Sequence, residues 1–210
     1  YLAAALGEAG AQVHSCVTVD DTAVTYADTL AQALDAGVDL VISTGAVSMG
    51  RYDFVPEVLH GLDAELLFHG VAIRPGKPLL CARLTQGALL LALPGTPMAV
   101  AAAMRFFVAP VLRAMTGQGT EPVLHAVLDT PQQPKPGLRH FLRATLHLGG
   151  DGRLHARVLP QQQPFRIHPY TESGAWVVLP EHAGVFDEGS IVEVASLAHG
   201  QSPRIDRAPS

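Results

Sequence analysis

The stretch that decides the fold is VDLVISTGAVSMGRYDF, residues 38–54. It begins as a short, continuously apolar run of the kind that is buried on both faces of a parallel sheet. The run then changes into a loop that contains Gly45 and Gly50 and ends in Arg51 and Asp53. Because ligands of open α/β sheets bind beyond the carboxyl ends of the strands, these loop residues are candidates for a binding site.

Helical patterns flank this strand. Apolar residues recur at helical spacing over residues 2–9, 27–34 and 54–62. AQVHSCVTV, residues 11–19, is predicted to be another strand. Strands that alternate with helices in this way are typical of layered α/β domains. The predicted fold class of this half is therefore α/β, a three-layer domain with a mostly parallel sheet.

Two further strands and a long helix complete the first half. Residues 79–84 and 88–93, LLCARL and ALLLAL, predict a hairpin that turns at TQG. The loop LPGTP then leads into a helix from Met98 to about Met115, with Thr96 available as the N-cap and Pro97 at the first helical position. TGQGTEP is predicted to be a linker.

Beyond the linker the pattern changes to short strands. Five segments are predicted as strands, and GGDG joins the second to the third: VLHAVLD, HFLRATLHL, LHARVLP, AWVVLPE and SIVEVASL. We predict an α/β domain over residues 1–117, a small all-β, barrel-like domain over residues 124–198, and a flexible polar tail over residues 199–210.

Composition limits the possible functions. The chain has 210 residues, a net charge of −5 and only two lysines, Lys77 and Lys135, so it lacks the basic footprint of a nucleic-acid-binding protein. No apolar run approaches the roughly 20 residues that span a bilayer, which predicts a soluble protein without a membrane segment. Cys16 and Cys81 lie in strand-like runs and are predicted to be buried, reduced thiols of a cytoplasmic protein. The opening YLAAALGEAG is interpreted as the start of a fragment.

The glycine loop matches a phosphate-binding loop only in part. Gly45 and Gly50 have the spacing of G-x-x-x-x-G-K-[ST], with a strand before them and a helix after them. Arg51 and Tyr52 replace the lysine and the hydroxyl residue that contact the terminal phosphates and magnesium. A nucleoside triphosphatase is therefore not predicted.

Charged residues follow the predicted strands. Asp20 and Asp53 each lie just past a strand, so both carboxylates would face one crevice and could hold a divalent cation. A helix cap is the alternative interpretation of each aspartate. Arg74 and Lys77 lie between prolines and a glycine in IRPGKP and could bind an oxyanion beside that metal, or be solvated surface charges.

The ten histidines are scattered along the chain. No H-x-x-x-H or comparable pair occurs, and the separation of His147 from His155 matches no metal signature. We expect these side chains to face solvent or to be hydrogen-bonded within the protein.

Three loops of this chain resemble those of the molybdopterin molybdenumtransferase family, whose eukaryotic relative is the gephyrin E domain. In chain order they are ISTGAVSMGRYDF, AIRPGKPL and LALPGTP. Members typically read T/S-G-G-V-S-M-G-x-x-D, K-P-G-K-P and L-P-G-N-P. Here Ala46 replaces the second glycine, Arg74 the first lysine and Thr96 the asparagine. The resemblance implies a molybdopterin-binding type of α/β domain and the following β domain, without the amino-terminal domains, the first strand and its acidic motif.

The resemblance also implies an activity. Such enzymes insert molybdenum from molybdate into adenylylated molybdopterin, release AMP and require a divalent cation, for which we expect Mg²⁺. It further implies a homodimer, a possible adenylyltransferase partner and a cytoplasmic location. Two alternatives stay open, a molybdopterin adenylyltransferase and a non-enzymatic scaffold. RPGKP and the β domain argue against the first.

Site residues follow from the match to the family motifs. Asp20 and Asp53 match acidic residues linked with catalysis or metal binding. Substrate-binding positions are expected in the three loops and the β domain, at Gly45, Ser48, Gly50, Arg74, Lys77, Pro94, Gly95, Pro97, Arg143 and Ser173. Arg143 lies in RHFLRATL and Ser173 in TESGAW, which resemble a family segment with a functional arginine and a serine-rich turn.

Overall fold

Most of the first 115 residues build a four-stranded sheet between two helical layers. The computed structural model describes residues 1–47, 53–182 and 184–206, so Ser48 and Gly50 lie outside the described residues. In chain order, this part contains α1 (Leu2–Glu8), α2 (Ala23–Asp35), β1 (Leu40–Thr44), α3 (Val55–Gly61), β2 (Glu65–His69), β3 (Ile73–Arg74), β4 (Leu80–Arg83), β5 (Leu89–Leu93), α4 (Pro97–Ala103), a π-helical turn (Met104–Val108) and α5 (Ala109–Met115).

The strands of this sheet lie in the order β1-β5-β4-β2. β1 and β5 are parallel, whereas β4 is antiparallel to both β5 and β2. The prediction of a mostly parallel sheet is therefore wrong, and the sheet is mixed. The physical reason is the predicted hairpin itself, because the chain reverses at Gly87, where φ is 88°, and so forces β4 and β5 to run in opposite directions.

The two faces of the sheet are covered by different helices. On one face, Leu30 of α2 and Leu59 of α3 pack in a cluster with Leu90 of β5. On the other face, Leu91 packs with Met104 in the long helix. Adjacent residues of β5 therefore serve opposite layers, as the period of a strand requires. The three-layer arrangement agrees with the prediction.

Residues 11–19 do not form the predicted strand. The segment is not part of any ladder between described strands, and Val13, Cys16 and Val17 are exposed. β1 pairs only with β5 among the described strands. An apolar pattern does not hold a strand in place without a neighbour that accepts its backbone hydrogen bonds. The prediction of a buried thiol is confirmed for Cys81 and wrong for Cys16.

The long helix from Pro97 to Met115 lies between two cores. It is long and apolar enough to cross a membrane, with a mean hydropathy of 1.5, but 56% of that window is buried inside the protein. Met98 packs against the second half of the chain, whereas Met104 and Leu112 pack against the four-stranded sheet. Burial inside the protein therefore explains the apolar composition of the buried part of this helix.

The second half of the chain contains a closed barrel. Its elements are β6 (Leu124–Leu128), β7 (Arg139–Leu148), β8 (Leu154–Val158), α6 (His168–Glu172), β9 (Ala175–Leu179), β10 (Ile191–Ser196) and β11 (Ile205–Asp206). Pairing runs β7-β8-β6-β10-β9 and returns from β9 to β7. All five predicted strands are present, and the closed pairing agrees with the barrel-like prediction.

Two short strands extend the sheet at β7. β3 comes from the first half of the chain and pairs in parallel with the start of β7, where Arg74 lies opposite His140. β11 pairs with the end of β7, so Ile205 and Asp206 are part of the sheet, although this tail was predicted to be flexible. The pairing of β3 matters for the site because it fixes the loop that follows Arg74 against the barrel.

Candidate functional site

A cavity of about 470 Å³ lies where the loops after β1, β3 and β5 meet. β1 and β5 are parallel neighbours and deliver their loops to the same edge of the sheet. β3 holds the third loop against the barrel. The cavity is lined by Gly45, Ala46, Val47, Asp53, Ile73, Arg74, Pro75, Gly76, Lys77, Pro78, Pro94, Gly95, Thr96, Ala99, Leu138, Gln162 and Pro164. The structure thus brings the three motif loops into one space.

The loops after β1 and β5 approach each other closely at glycines. The Gly45 amide donates to the Leu93 carbonyl at 3.0 Å, and a Cβ added to Gly95 would lie 3.6 Å from the Gly45 Cα. Gly45 has a φ of 88°, which a side chain disfavours. Ala46 has a φ of 51° without being a glycine. Its backbone therefore carries strain, and its neighbour Val47 is buried, so packing holds the loop in this conformation.

Three charged side chains line the cavity among the described residues: Asp53, Arg74 and Lys77. Arg74 and Lys77 are exposed and lie at the two ends of a turn that contains the cis Arg74–Pro75 bond and Gly76, where φ is 116°. A Cβ added to Gly76 would lie 3.0 Å from the Ile73 Cδ1, so this turn fits tightly. Two cations and one carboxylate give the described part of the lining a positive balance, which suits an anion.

The long helix begins at the wall of the cavity. Thr96 is its N-cap and Pro97 its first residue, as predicted, but the Thr96 side chain makes no capping hydrogen bond. Instead the Met98 amide donates to the Pro164 carbonyl at 3.0 Å, and the Ala99 amide donates to the Thr96 carbonyl at 3.0 Å. Because these amides already have acceptors, an anion in the cavity would be bound by side chains more than by the helix terminus.

Arg143 was predicted to bind substrate and lies behind the cavity wall. It is 1% exposed, and its guanidinium donates to the carbonyl oxygens of Arg166 at 2.6 Å and Gln161 at 2.8 Å. Its amide and Nε both donate to Gln162 Oε1, at 3.0 and 3.3 Å. Burial lowers the pKa of Arg143. Since Gln162 lines the cavity, Arg143 shapes the lining, and its contact with substrate stays a prediction.

Three other predicted residues are not among those that line the cavity: Asp20, Pro97 and Ser173. Ser173 is buried and its Oγ donates to a backbone carbonyl at 2.7 Å. Asp20 is exposed, and Thr22, not Asp20, caps α2 by accepting a backbone amide at 3.3 Å. A metal shared by Asp20 and Asp53 stays a prediction.

The sequence predicted that the β domain contributes Arg143 and Ser173 to the site, but it did not predict the residues of this domain that line the cavity. Leu138, Gln162 and Pro164 line it, and the buried His140 lies opposite Arg74. Burial lowers the pKa of His140, the Lys135 carbonyl opposes this shift, and the nearby Arg74 adds to it. No local pattern could have revealed these residues, because they reach the site through long-range contacts, namely the pairing of β3 with β7 and the hydrogen bond from the Met98 amide to the Pro164 carbonyl.

Two family models match the chain. Residues 1–114 match a family described as "Probable molybdopterin binding domain", and residues 125–197 match "MoeA C-terminal region (domain IV)". Over 198 residues the chain is 36% identical to the "Molybdopterin molybdenumtransferase" of Synechococcus elongatus. The chain belongs to the molybdopterin molybdenumtransferase family.

Other members of the molybdopterin molybdenumtransferase family and a solved structure agree with this. The chain is 36% identical over 152 residues, 70% of its length, to the protein of that name from a Nostoc species. It superposes on a "Molybdenum cofactor biosynthesis protein" from Pyrococcus furiosus with a TM-score of 0.69 and 26% identity, covering 92% of this chain and 61% of that one. The Synechococcus match covers 94% of this chain but 48% of the relative, and the Nostoc match 35% of the relative. The chain therefore spans half or less of the length of these relatives.

Proposed function

We propose that this chain forms the site that transfers molybdenum from molybdate to adenylylated molybdopterin and releases AMP. The observation that supports this most is the cavity, in which Arg74 and Lys77 line the same space as Asp53. Molybdate and the phosphate of the adenylate are both oxyanions, which guanidinium and ammonium groups bind through charge-assisted hydrogen bonds. Such groups also stabilise negative charge that develops as AMP departs.

The donor set of the cavity also fits Mg²⁺. Asp53 supplies a carboxylate at the cavity wall, and Mg²⁺ sites commonly combine one or two carboxylates with substrate phosphate oxygens. When bound, the ion would neutralise phosphate charge. Arg74 and Lys77 would then bind the anion, and Gly45 and Gly95 would allow the backbone to lie close to it.

The two lysines of the chain provide a matched test. Both are exposed, but only Lys77 lines the cavity. The chain is incubated with adenylylated molybdopterin, molybdate and Mg²⁺, AMP release is followed by chromatography, and AMP affinity is measured by calorimetry. We expect Lys77→Ala to weaken AMP binding by about 10- to 100-fold, the value of one charged hydrogen bond, and Lys135→Ala to leave it unchanged. Asp53→Asn should reduce AMP release most at low Mg²⁺.

Other results would favour other functions. In a parallel incubation with molybdopterin and ATP, consumption of ATP would indicate an adenylyltransferase. A chain that neither binds nor releases AMP would be a scaffold. Equal losses in the two lysine variants would contradict the placement of the site in this cavity. A homodimer, an adenylyltransferase partner and a cytoplasmic location rest on the resemblance and stay predictions.

A further inference from the structure

A second cluster of ionisable side chains lies on the barrel, outside the cavity lining. It comprises Asp129, which directly follows β6, His147 on β7 and His155 on β8. One ligand atom from each residue lies within 4.8 Å of the other two. None of the three lines the cavity described above.

Strand pairing brings this cluster together. β7 and β8 are antiparallel, and His147 lies directly opposite His155. The Asp129 amide donates to the Ala156 carbonyl at 3.0 Å, which fixes Asp129 beside β8. Leu146 and Ala156 belong to the barrel core. Because side chains alternate along a strand, the neighbouring histidines lie on the opposite, outer face.

The Asp129 carboxylate lies next to both imidazoles. Its Oδ1 is 3.1 Å from His155 Nδ1, and its Oδ2 is 3.7 Å from His147 Nδ1. In a tetrahedral site with metal–ligand distances of about 2.0–2.1 Å, neighbouring donor atoms are about 3.3 Å apart. The two observed separations, each measured from a different oxygen of the same carboxylate, lie on either side of this value. The three side chains are only 13–21% exposed, so the site would be largely shielded from water.

Two further features of the cluster suit a bound cation. Asp129 Oδ2 is buried and accepts no hydrogen bond from the described residues, so only longer ion pairs with His147 and Arg157 satisfy it. His155 Nε2 lies 3.2 Å from Asp151 Oδ1, in the position of the outer carboxylate that orients a metal-bound imidazole. Arg157 Nε is 3.4 Å from Asp129 Oδ2, but this side chain is 51% exposed and can move into solvent when a cation binds.

We propose that Asp129, His147 and His155 bind Zn²⁺, or a similar divalent transition metal, on the outer face of the barrel. Two imidazole nitrogens and one carboxylate oxygen form a donor set typical of Zn²⁺, whereas Mg²⁺ prefers six oxygen ligands. Water would complete the coordination. The ion would link β6, β7 and β8 and stabilise the folded barrel by mass action. This site is independent of the function proposed for the cavity.

The test is Zn²⁺ binding by the chain after treatment with EDTA, measured in competition with a chromophoric chelator. We expect one tightly bound ion per chain. His147→Ala or His155→Ala should weaken binding by at least about 100-fold, and Asp151→Asn by about 10- to 100-fold, the range for outer-shell partners. His125→Ala is the matched control, since His125 is an exposed histidine on β6 outside the cluster. Asp53→Asn controls for binding in the cavity.

Two further measurements distinguish loss of the metal site from loss of the fold. Tetrahedral Co²⁺ absorption bands should appear with the wild type and disappear with His147→Ala, and Zn²⁺ should raise the Tm of the wild type alone. Circular dichroism of the metal-free variants checks their fold, and His147→Gln replaces any variant that does not fold. If the His147 variants bind Zn²⁺ as tightly as the wild type, or if His125→Ala loses as much affinity, the site does not exist and the cluster is a hydrogen-bonded group of histidines and aspartates.

Discussion

The two sheets of this chain end in different ways. In the barrel, pairing runs from β7 through β8, β6, β10 and β9 and back to β7, so each of these strands has a neighbour on both sides. In the four-stranded sheet, β1 and β2 are edges among the described strands, and residues 11–19 pair with neither. Leu146 of the barrel is 0% exposed, whereas Val17 is 63% exposed. Apolar alternation therefore gives a buried strand only where a paired neighbour is available.

The largest expected effect separates these two regions directly. Leu146→Ala removes a side chain from the barrel core and should lower the free energy of unfolding by about 3 kcal/mol. Val17→Ala shortens an exposed side chain and should change it by less than about 0.5 kcal/mol. Urea denaturation of both variants measures the difference. Similar losses in the two variants would mean that residues 11–19 are packed as firmly as the barrel, and the comparison would fail.

Glu121 connects the long helix of the first half of the chain to the segment that follows the last strand of the barrel, and it offers a second test. Its Oε2 accepts from Arg105 Nη2 at 2.5 Å, and its Oε1 lies 2.9 Å from His199 Nδ1 and accepts from the Gly200 amide at 3.2 Å. Arg105 belongs to the long helix, whereas His199 follows β10. Partial burial acts to raise the pKa of Glu121, but the Gly200 amide, Arg105 and His199 outweigh burial and lower it.

The sign of the pH dependence follows from this lowered pKa. A carboxyl whose pKa is lower in the folded state stabilises the fold above its unfolded-state pKa, and this stabilisation is lost as the pH falls through the folded-state pKa. We expect Glu121→Gln to cost about 1–2 kcal/mol at pH 7 and progressively less below about pH 4. Urea denaturation at several pH values measures this. Asp28→Asn, at an exposed carboxylate on α2, is the control. A cost that does not change with pH would contradict the ionic link.

The smallest effect concerns the loop at the cavity. Ala46 has a φ of 51°, which costs an ordinary side chain about 1 kcal/mol. We expect Ala46→Gly to relieve this strain and raise the free energy of unfolding by up to about 1 kcal/mol. Ala31→Gly, at an exposed position inside α2, should lower it by about 1 kcal/mol. Thermal denaturation of the two variants should therefore show shifts of opposite sign. A loss of stability in Ala46→Gly would mean that the strain is absent.

Elements were predictable where their partners are near in sequence. The β4–β5 and β7–β8 hairpins follow from TQG and GGDG, since each turn fixes which residues pair across it. The parallel pairing of β3 with β7 joins Ile73 to Arg139 and has no local signature. The failure at residues 11–19 has the same origin, because a strand depends on a neighbour that its own sequence does not specify.

The same distinction applies to the candidate sites. The motif loops pointed to Asp53, Arg74 and Lys77, which line one cavity, but not to Leu138, Gln162 and Pro164, which also line it. The cross-strand pair of His147 and His155 lies four residues on either side of Asp151, the centre of the five-residue loop 149–153 that joins the paired Leu148 and Leu154. Judging histidines by linear spacing alone hid this relation.

The helix from Pro97 to Met115 makes the two halves of the chain depend on each other for folding. The two family models divide the chain between residues 114 and 125, yet Met98 packs in one cluster with Ile73 and Trp176. Cutting the chain at that boundary would not release two autonomous folding units, since each piece would keep an apolar surface shaped for the other. We therefore expect a hybrid with another barrel to fold only where that barrel complements the apolar face of this helix.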